Sequence, residues 1–282
     1  MHRREFARKL ASAALGAAVI PGFSTTRVES LPFQLSVMLW TVFKELPFEQ
    51  RLEKVAEAGY HAVELVDEFG KWSADDFRRI NRRKRSLGIT FDATAGVWKG
   101  IADSAAREAF LADLRNFLSI AVELECPAII VLSGDRVEGI SREVHHQSCI
   151  ETLKQAAEIA AKRDITLLLE NIDPEENPKY YLTSVAEGFE IVRQVNQPNV
   201  KFLYDFYHEQ ISEGNLIEKL EKNIALTGLV HIADVPGRHE PGTGEINYAN
   251  IFRKLAELNY AGYAAMEFEQ ASARPVNWHN NP

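Results

Sequence analysis

Short apolar runs alternate with longer amphipathic segments along most of the chain. From residue 33 onward, seven of the eight apolar runs are followed by a segment whose apolar residues recur at helical spacing. Runs that are apolar on both faces are typical of parallel strands with both faces buried. The eight strand candidates are residues 33–39, 61–66, 89–94, 127–132, 165–170, 200–205, 228–234 and 263–268.

This alternation predicts an α/β fold, specifically a (β/α)8 TIM barrel, and the length of 282 residues suits one such domain. No glycine-rich phosphate fingerprint follows the first strand, which disfavours a dinucleotide-binding sheet. After the last strand, QASARPVNWHNNP is too short and too proline-interrupted for a full helix. We therefore expect a short or missing eighth helix. The barrel is then either open on that side or covered by the N-terminal segment or by a second subunit in a homodimer.

The first 28 residues are expected to form a separate segment before a single domain at residues 29–282. Arg3 and Arg4 precede a weakly apolar run from Leu10 to Ile20, which resembles a twin-arginine export signal and predicts a periplasmic protein. The alternative is a basic helix that stays in the cytoplasm. The run is too short for a membrane span, which needs about 20 residues, so we expect no stable span.

Charge and cysteine content narrow the class of partner. The net charge of −8 disfavours a nucleic-acid partner, because phosphate binding needs a basic face. Two cysteines, Cys126 and Cys149, are too few for a disulfide scaffold or a thiolate zinc site, so we expect both in the core. We therefore expect a small-molecule substrate as the partner.

Charged or polar residues lie at or near the ends of four successive apolar strands. Strand five ends in Glu170, strand six ends in Asp205, strand seven carries His231 and Asp234, and strand eight carries Glu267. TIM barrels carry their chemistry at these C-terminal strand ends, so the side chains of Glu170, Asp205, His231 and Glu267 are expected to converge near the barrel axis. Three carboxylates and one imidazole form a hard, mostly oxygen donor set that suits Mn2+ or Mg2+. At any single position, a helix N-cap or a buried core histidine is the alternative. Four such residues in four consecutive units favour a metal site, since buried charges need a partner.

Four segments carry a resemblance to a known family. LENIDPEENPKYYLTS (169–184), YDFYHEQISEGNL (204–216), HIADVPGRHEPGTGEINY (231–248) and MEFEQ (266–270) resemble the hydroxypyruvate isomerase family. This family lies within the xylose isomerase-like TIM barrel superfamily and is related to ketose 3-epimerases. The resemblance spans roughly residues 33–270 and is dense only after residue 165.

The resemblance implies roles for particular side chains. Glu170 and Glu267 would be catalytic and move protons, while also holding the metal together with Asp205 and His231. His208 and Arg238 would contact substrate oxygens. Bacterial hydroxypyruvate isomerases can carry glutamine at the position of His231, so this chain departs towards the epimerase pattern, which leaves the substrate open.

Two loop residues are further candidates for substrate binding. Arg238 could hold a substrate carboxylate through a two-pronged ion pair, and a solvated loop arginine is the alternative. Glu176, shortly after strand five, could reach a substrate hydroxyl, and a solvated loop acid is the alternative. The choice between a hydroxy-keto acid and a ketose as substrate stays open.

The function expected from the sequence is metal-dependent isomerisation of a small α-hydroxy carbonyl compound through an enediolate, closest to hydroxypyruvate/tartronate semialdehyde isomerisation. A ketose 3-epimerase or sugar isomerase is one alternative, and an exported, non-catalytic sugar-binding barrel is another. The endonucleases of the superfamily need histidines from strands two to four for a three-metal cluster. Here these strands end near Glu64, Asp92 and Ser133 without a histidine, which disfavours a nuclease.

Overall fold

Eight parallel strands form a closed barrel in chain order in the computed structural model, which describes residues 31–271. The ring closes where β1 pairs with β8, from Gln34 opposite Tyr263 to Val37 opposite Met266. The strand ring is therefore not open, and the predicted TIM barrel is confirmed. The strands are β1 Gln34–Met38, β2 Ala62–Leu65, β3 Thr90–Thr94, β4 Ala128–Leu132, β5 Thr166–Glu170, β6 Val200–Asp205, β7 Thr227–Ile232 and β8 Tyr263–Met266.

Helices connect consecutive strands, and β6 is followed by two of them. As far as Ala271, no α-helix follows β8, and the rest of the segment expected to lack a full eighth helix lies outside the described residues. The export segment predicted at residues 1–28 lies outside the described residues and, like the homodimer, stays a prediction. The helices are α1 Phe48–Glu57, α2 Ala74–Ser86, α3 Arg107–Leu124, α4 Arg142–Ala161, α5 Val185–Val195, α6 Phe206–Ser212, α7 Leu216–Asn223 and α8 Tyr248–Glu257.

Apolar side chains divide into a large cluster between strands and helices and a small one inside the barrel. Successive strand residues point to opposite faces, so every second residue of a strand faces the barrel axis. The small inner cluster includes Ile130, Leu168, Leu203, Leu229 and Ala265. These residues fill the barrel below its C-terminal mouth and leave the next inward-facing positions for polar side chains.

Both cysteines lie in the core, as the sequence predicts. Cys126 and Cys149 are both buried and unpaired with each other. Burial raises the pKa of both thiols above its ordinary value, so they are protonated core residues. Among residues 31–271, every helix is too short or too polar to cross a bilayer.

Candidate active site

Side chains from the last four strands meet at the C-terminal mouth of the barrel. Each stands two residues after a member of the inner cluster, so the alternation of the strand turns it towards the axis. One ligand atom from each lies within 4.8 Å of the other three, and all four side chains are buried. These residues are Glu170, Asp205, His231 and Glu267.

The end of β8 differs slightly from the sequence expectation. The strand stops at Met266, one residue before Glu267. The backbone N–H of Glu267 nevertheless donates to the carbonyl of Ile232 at 3.0 Å, which continues the pairing with β7. Glu267 therefore keeps the inward direction that the alternation predicts.

The imidazole of His231 stands at the centre of the three carboxylates. Its Nδ1 atom lies 2.7 Å from Oε2 of Glu267, 3.4 Å from Oε1 of Glu170 and 3.8 Å from Oδ2 of Asp205. By geometric criteria, neither Nδ1 of His231 nor Oε2 of Glu267 has a hydrogen-bond partner among the described residues, although the two atoms lie this close.

The ligand atoms of these four side chains converge on one point, as they would in a site that binds a cation. Three carboxylates and one imidazole fit a divalent cation that prefers oxygen ligands. Packing alone gives no reason to bury these charges together, because each loses its hydration. The residues present therefore fit the divalent metal that the resemblance implies.

Asp205 has two roles that the sequence presented as alternatives. Its Oδ1 atom accepts hydrogen bonds from the backbone N–H groups of Tyr207 at 2.6 Å and His208 at 3.2 Å, so it caps the N-terminus of α6. Its Oδ2 atom faces His231 and the mouth of the barrel. One carboxylate thus anchors the helix with one oxygen and contributes the other to the site.

Arg238 brings a positive charge to the same cluster. Its guanidinium lies 2.7 Å from Glu267 and 3.4 Å from Asp205, and it donates to Glu176 at 2.7 Å. Burial favours the neutral form of Glu267, but the charges of Arg238 and His231 outweigh it and lower the pKa of Glu267 to about 2. By contrast, burial raises the pKa of Glu170. Arg238 and Glu176 are thus paired at the edge of the site, and their contact with a substrate stays a prediction.

The loop that carries Arg238 is fastened by a buried aspartate, Asp234. Its Oδ1 atom accepts from the backbone N–H groups of Val235 and Ile246, both at 3.0 Å, and its Oδ2 atom accepts from Gly242 at 2.8 Å. The side chain of Asp234 therefore organises the loop and lies outside the group of four converging ligand atoms.

His208 is held by a residue that the sequence reasoning missed, Asp173. The ring of His208 is buried, and its Nδ1 atom lies 2.6 Å from Oδ2 of Asp173. The other oxygen of Asp173 accepts from the backbone N–H groups of Glu175 at 2.8 Å and Glu176 at 2.9 Å. Asp173 therefore fixes both the histidine and the loop that carries Glu176. Its one sequence signal is the Asp-Pro pair of a turn just after β5.

The electrostatics favour a charged pair. Burial favours the neutral ring of His208, but the charge of Asp205 and the bond to Asp173 raise its pKa to about 9. Burial likewise disfavours the charge of Asp173, yet the bond with His208 and two backbone N–H groups lower its pKa overall. Nε2 of His208 then points to Asp205 at 3.5 Å, towards the mouth of the barrel.

Replacing Asp173 with asparagine is expected to lower kcat/KM by about 10–100-fold, since a buried hydrogen bond to a charged group contributes roughly 1.5–3 kcal/mol. Asparagine keeps an acceptor for the loop but removes the charge opposite His208. Steady-state kinetics across pH 6–9 check this, and we expect KM to rise more than kcat falls. Glu175→Gln, an exposed change in the same loop, is the matched control and should leave both constants unchanged. Equal kinetics for Asp173→Asn and the wild type would contradict the role.

A second pair of buried carboxylates lies on β2 and β3. Oε2 of Glu64 is 3.0 Å from Nε2 of His231, and Oδ1 of Asp92 accepts from the Ser36 hydroxyl at 2.8 Å. The other oxygens of both acids have no partner among the described residues. Both acids lie near strand ends in the sequence, where their pattern predicted no role for them. Burial and the nearby charge of Glu64 raise the pKa of Asp92 to about 8.

This shift predicts a pH effect on stability. The folded-state pKa of Asp92 is above its ordinary value of 3.8, so the folded protein holds this proton more tightly than the unfolded chain. The stability contributed is present at low pH and is lost as pH rises from about 4 to 8. Asp92→Asn removes this loss and should stabilise the protein at pH 8 by about 1–3 kcal/mol more than at pH 5. Urea unfolding in EDTA at both pH values measures the difference, and a pH-independent difference would refute it.

Together, these features define a TIM barrel with four side chains at its C-terminal mouth that could hold a metal ion. Residues 52–281 match the family described as xylose isomerase-like TIM barrel. The chain belongs to this family, which confirms the resemblance seen in the sequence.

Named relatives narrow the class of enzyme. The chain is 34% identical over 236 residues to 2-oxo-tetronate isomerase of Haemophilus influenzae, which covers 82% of this chain and 91% of the relative. It is 31% identical over 241 residues to hydroxypyruvate isomerase of Escherichia coli, covering 84% and 93% of the two chains. The prediction that the chain is an isomerase is confirmed by these relatives.

A solved structure, AP endonuclease, family 2, from Brucella melitensis, superposes with a TM-score of 0.76 at 31% identity, covering 86% of this chain and 94% of that one. The name of this structure is that of a nuclease, the class that the sequence disfavours for this chain. In this chain the ends of β2, β3 and β4 carry Glu64, Thr94 and, one residue past β4, Ser133, none of which is a histidine. These strand ends therefore lack the histidines that a three-metal nuclease site would need.

Proposed function

We propose that the protein is a divalent-metal-dependent isomerase of a small α-hydroxy-keto acid of the hydroxypyruvate type. The observation that carries the proposal is the convergence of Glu170, Asp205, His231 and Glu267 on one buried point. The names of the relatives, 2-oxo-tetronate isomerase and hydroxypyruvate isomerase, support an acid as substrate. Arg238 at the rim of the same site supports it too, because a guanidinium binds a carboxylate in two-pronged geometry.

The four converging residues would hold Mn2+ or Mg2+. A bound ion of this kind stabilises negative charge on the two oxygens of an α-hydroxy carbonyl compound as a Lewis acid. The protein contributes charge balance, because the guanidinium of Arg238 lies beside two of the three carboxylates, those of Asp205 and Glu267.

Proton transfer would be the work of Glu170 and Glu267. The two lie on either side of His231, at the ends of β5 and β8. One carboxylate removes a proton from the hydroxyl-bearing carbon, which gives an enediolate, and a proton returned to the former carbonyl carbon gives the isomeric aldehyde. His208 and Arg238 would contact the substrate oxygens, and Glu176 would face a hydroxyl.

Arg238 should distinguish an acid substrate from a neutral sugar. Arg238→Met removes the guanidinium but keeps much of the apolar stem, so KM for hydroxypyruvate should rise by about 100-fold, the value of a charge-assisted pair of roughly 3 kcal/mol. The KM of any neutral ketose that reacts should change far less. Parallel kinetics on both substrate types check this. An equal rise for both would mean that Arg238 acts on the metal ligands and does not select the acid.

Ketose 3-epimerisation is the second candidate. The observation that favours it is His231, which matches the epimerase pattern and completes the ring of four ligand atoms. In this reaction one carboxylate would remove a proton from a carbon, and a carboxylate on the opposite side would return a proton to the same carbon. Glu170 and Glu267 would serve for this reaction too.

Proton exchange with solvent decides between these functions. Purified protein in deuterated water, with and without Mn2+ or Mg2+, would be mixed with hydroxypyruvate and a panel of ketoses and followed by proton NMR. We expect metal-dependent loss of a carbon-bound proton signal from hydroxypyruvate. Loss from a ketose alone would establish the epimerase or sugar isomerase. No exchange with any compound, in spite of tight metal binding, would refute the enzyme proposal and favour a sugar-binding barrel.

A further inference from the structure

A buried carboxylate from the far side of the barrel contacts the imidazole of the proposed metal site. Glu64 lies on β2 and His231 on β7, 167 residues apart, and Oε2 of Glu64 is 3.0 Å from Nε2 of His231. Both side chains are almost fully buried. The two strands are not neighbours in the ring, so the contact crosses the interior of the barrel.

We infer that Glu64 is a positioning residue that holds the ring of His231 with Nδ1 turned towards the three ligand carboxylates. This inference rests on the proposed metal site. An imidazole has two nitrogens, and the one that donates its proton to a carboxylate leaves the other free to bind a cation. Nδ1 of His231 faces the ligand carboxylates and Nε2 contacts Glu64, so the geometry assigns Nδ1 as the ligand atom and Nε2 as the nitrogen that hydrogen-bonds to Glu64.

The burial of Glu64 favours a role in positioning His231 over a role in filling space in the core. Its Oε1 atom has no hydrogen-bond partner among the described residues, so the side chain gives up hydration for one contact with His231. An apolar residue would fill the same space without this cost, as Leu168 and Leu229 do in the layer below. The carboxylate is useful at this position only through what it does to the imidazole.

Asp92 provides a matched control for the loss of buried charge. It lies on β3, the neighbour of β2, and is also buried, but its hydrogen bond comes from Ser36 and not from His231. Asp92→Asn therefore removes a carboxylate from the same part of the barrel and leaves the contact between Glu64 and His231 in place.

The test is Mn2+ affinity of the full chain, measured from the electron paramagnetic resonance signal of free Mn2+ during titration. Glu64→Gln should raise the Kd by about 10–100-fold, because the glutamine amide can donate to Nε2 and leave Nδ1 protonated. Asp92→Asn should raise it by less than about threefold. An unchanged Kd for Glu64→Gln, or an equal change in both variants, would overturn the inference and leave the proposed function intact. A wild type that binds no Mn2+ would overturn the proposed function itself.

Two further measurements separate positioning from folding. In EDTA, Glu64→Gln should still unfold in one cooperative transition, because glutamine keeps the size of glutamate and can hydrogen-bond to Nε2 of His231. In the Mg2+-loaded wild type, nitrogen-15 NMR should show a proton on Nε2 of His231 and none on Nδ1. The opposite tautomer in the wild type would overturn the inference without any variant.

Discussion

Glu267→Gln is expected to lower kcat/KM for the substrate by about 10²–10⁴-fold, the contribution of a positioned acid–base group. Glutamine has the size of glutamate and can still offer an oxygen to a cation, but it cannot take up a proton. It also removes the charge that pairs with Arg238 and His231. The measurement is kcat/KM at saturating Mn2+, together with the rate of proton exchange into deuterated water.

The control for this variant is Glu269→Gln. Glu269 lies two residues further along the chain, and its side chain is 59% exposed, so this change removes the same charge outside the site. It should leave kcat/KM within a factor of two. Activity of Glu267→Gln within about tenfold of the wild type would show that another group transfers the proton.

Asp205→Asn is expected to raise the Kd for Mn2+ by more than about 100-fold, since it removes a charged ligand and not merely an outer partner. Asparagine keeps an oxygen that can accept from the N–H groups of Tyr207 and His208, so the cap of α6 survives. The melting temperature in EDTA should therefore stay within about 3 °C of the wild type. Metal titration and thermal melting on the same preparation measure both effects.

Asp103 offers a control with the same capping role, and it is not one of the four residues whose ligand atoms converge. Its Oδ1 atom accepts from the backbone N–H of Ala105 at 2.9 Å, at the start of a short 3-10 helix. Asp103→Asn should change neither Mn2+ affinity nor the melting temperature. If Asp205→Asn bound Mn2+ as tightly as this control, Asp205 would be a helix cap alone.

Local properties of the sequence were enough to predict that four side chains converge at the mouth of the barrel. Glu170, Asp205, His231 and Glu267 each end a strand that reads as apolar, and alternation along a strand fixes the face to which each points. Since one βα unit follows another around a ring, four such ends lead to one mouth. No knowledge of distant contacts was needed for this step.

The supporting residues could not be assigned in this way. The bond between Asp173 and His208 joins a turn after β5 to a helix after β6, and the bond between Glu64 and His231 crosses the barrel. Neither acid has a local pattern that distinguishes it from a turn residue or a strand end. The loop of Arg238 likewise depends on three backbone bonds to Asp234, which only the folded path of that loop brings within reach.

The sequence by itself determined the barrel and the four side chains at its mouth, because strand periodicity and strand order are local properties repeated along the chain. The family followed from the resemblance of four segments to a known family. The tertiary structure alone decided which nitrogen of His231 faces the carboxylates, which acid holds His208, and that Asp205 both caps a helix and faces the site. These features depend on atoms that approach within about 3 Å across the fold, and hydrogen bonds of that length and direction are set by packing and not by spacing along the chain.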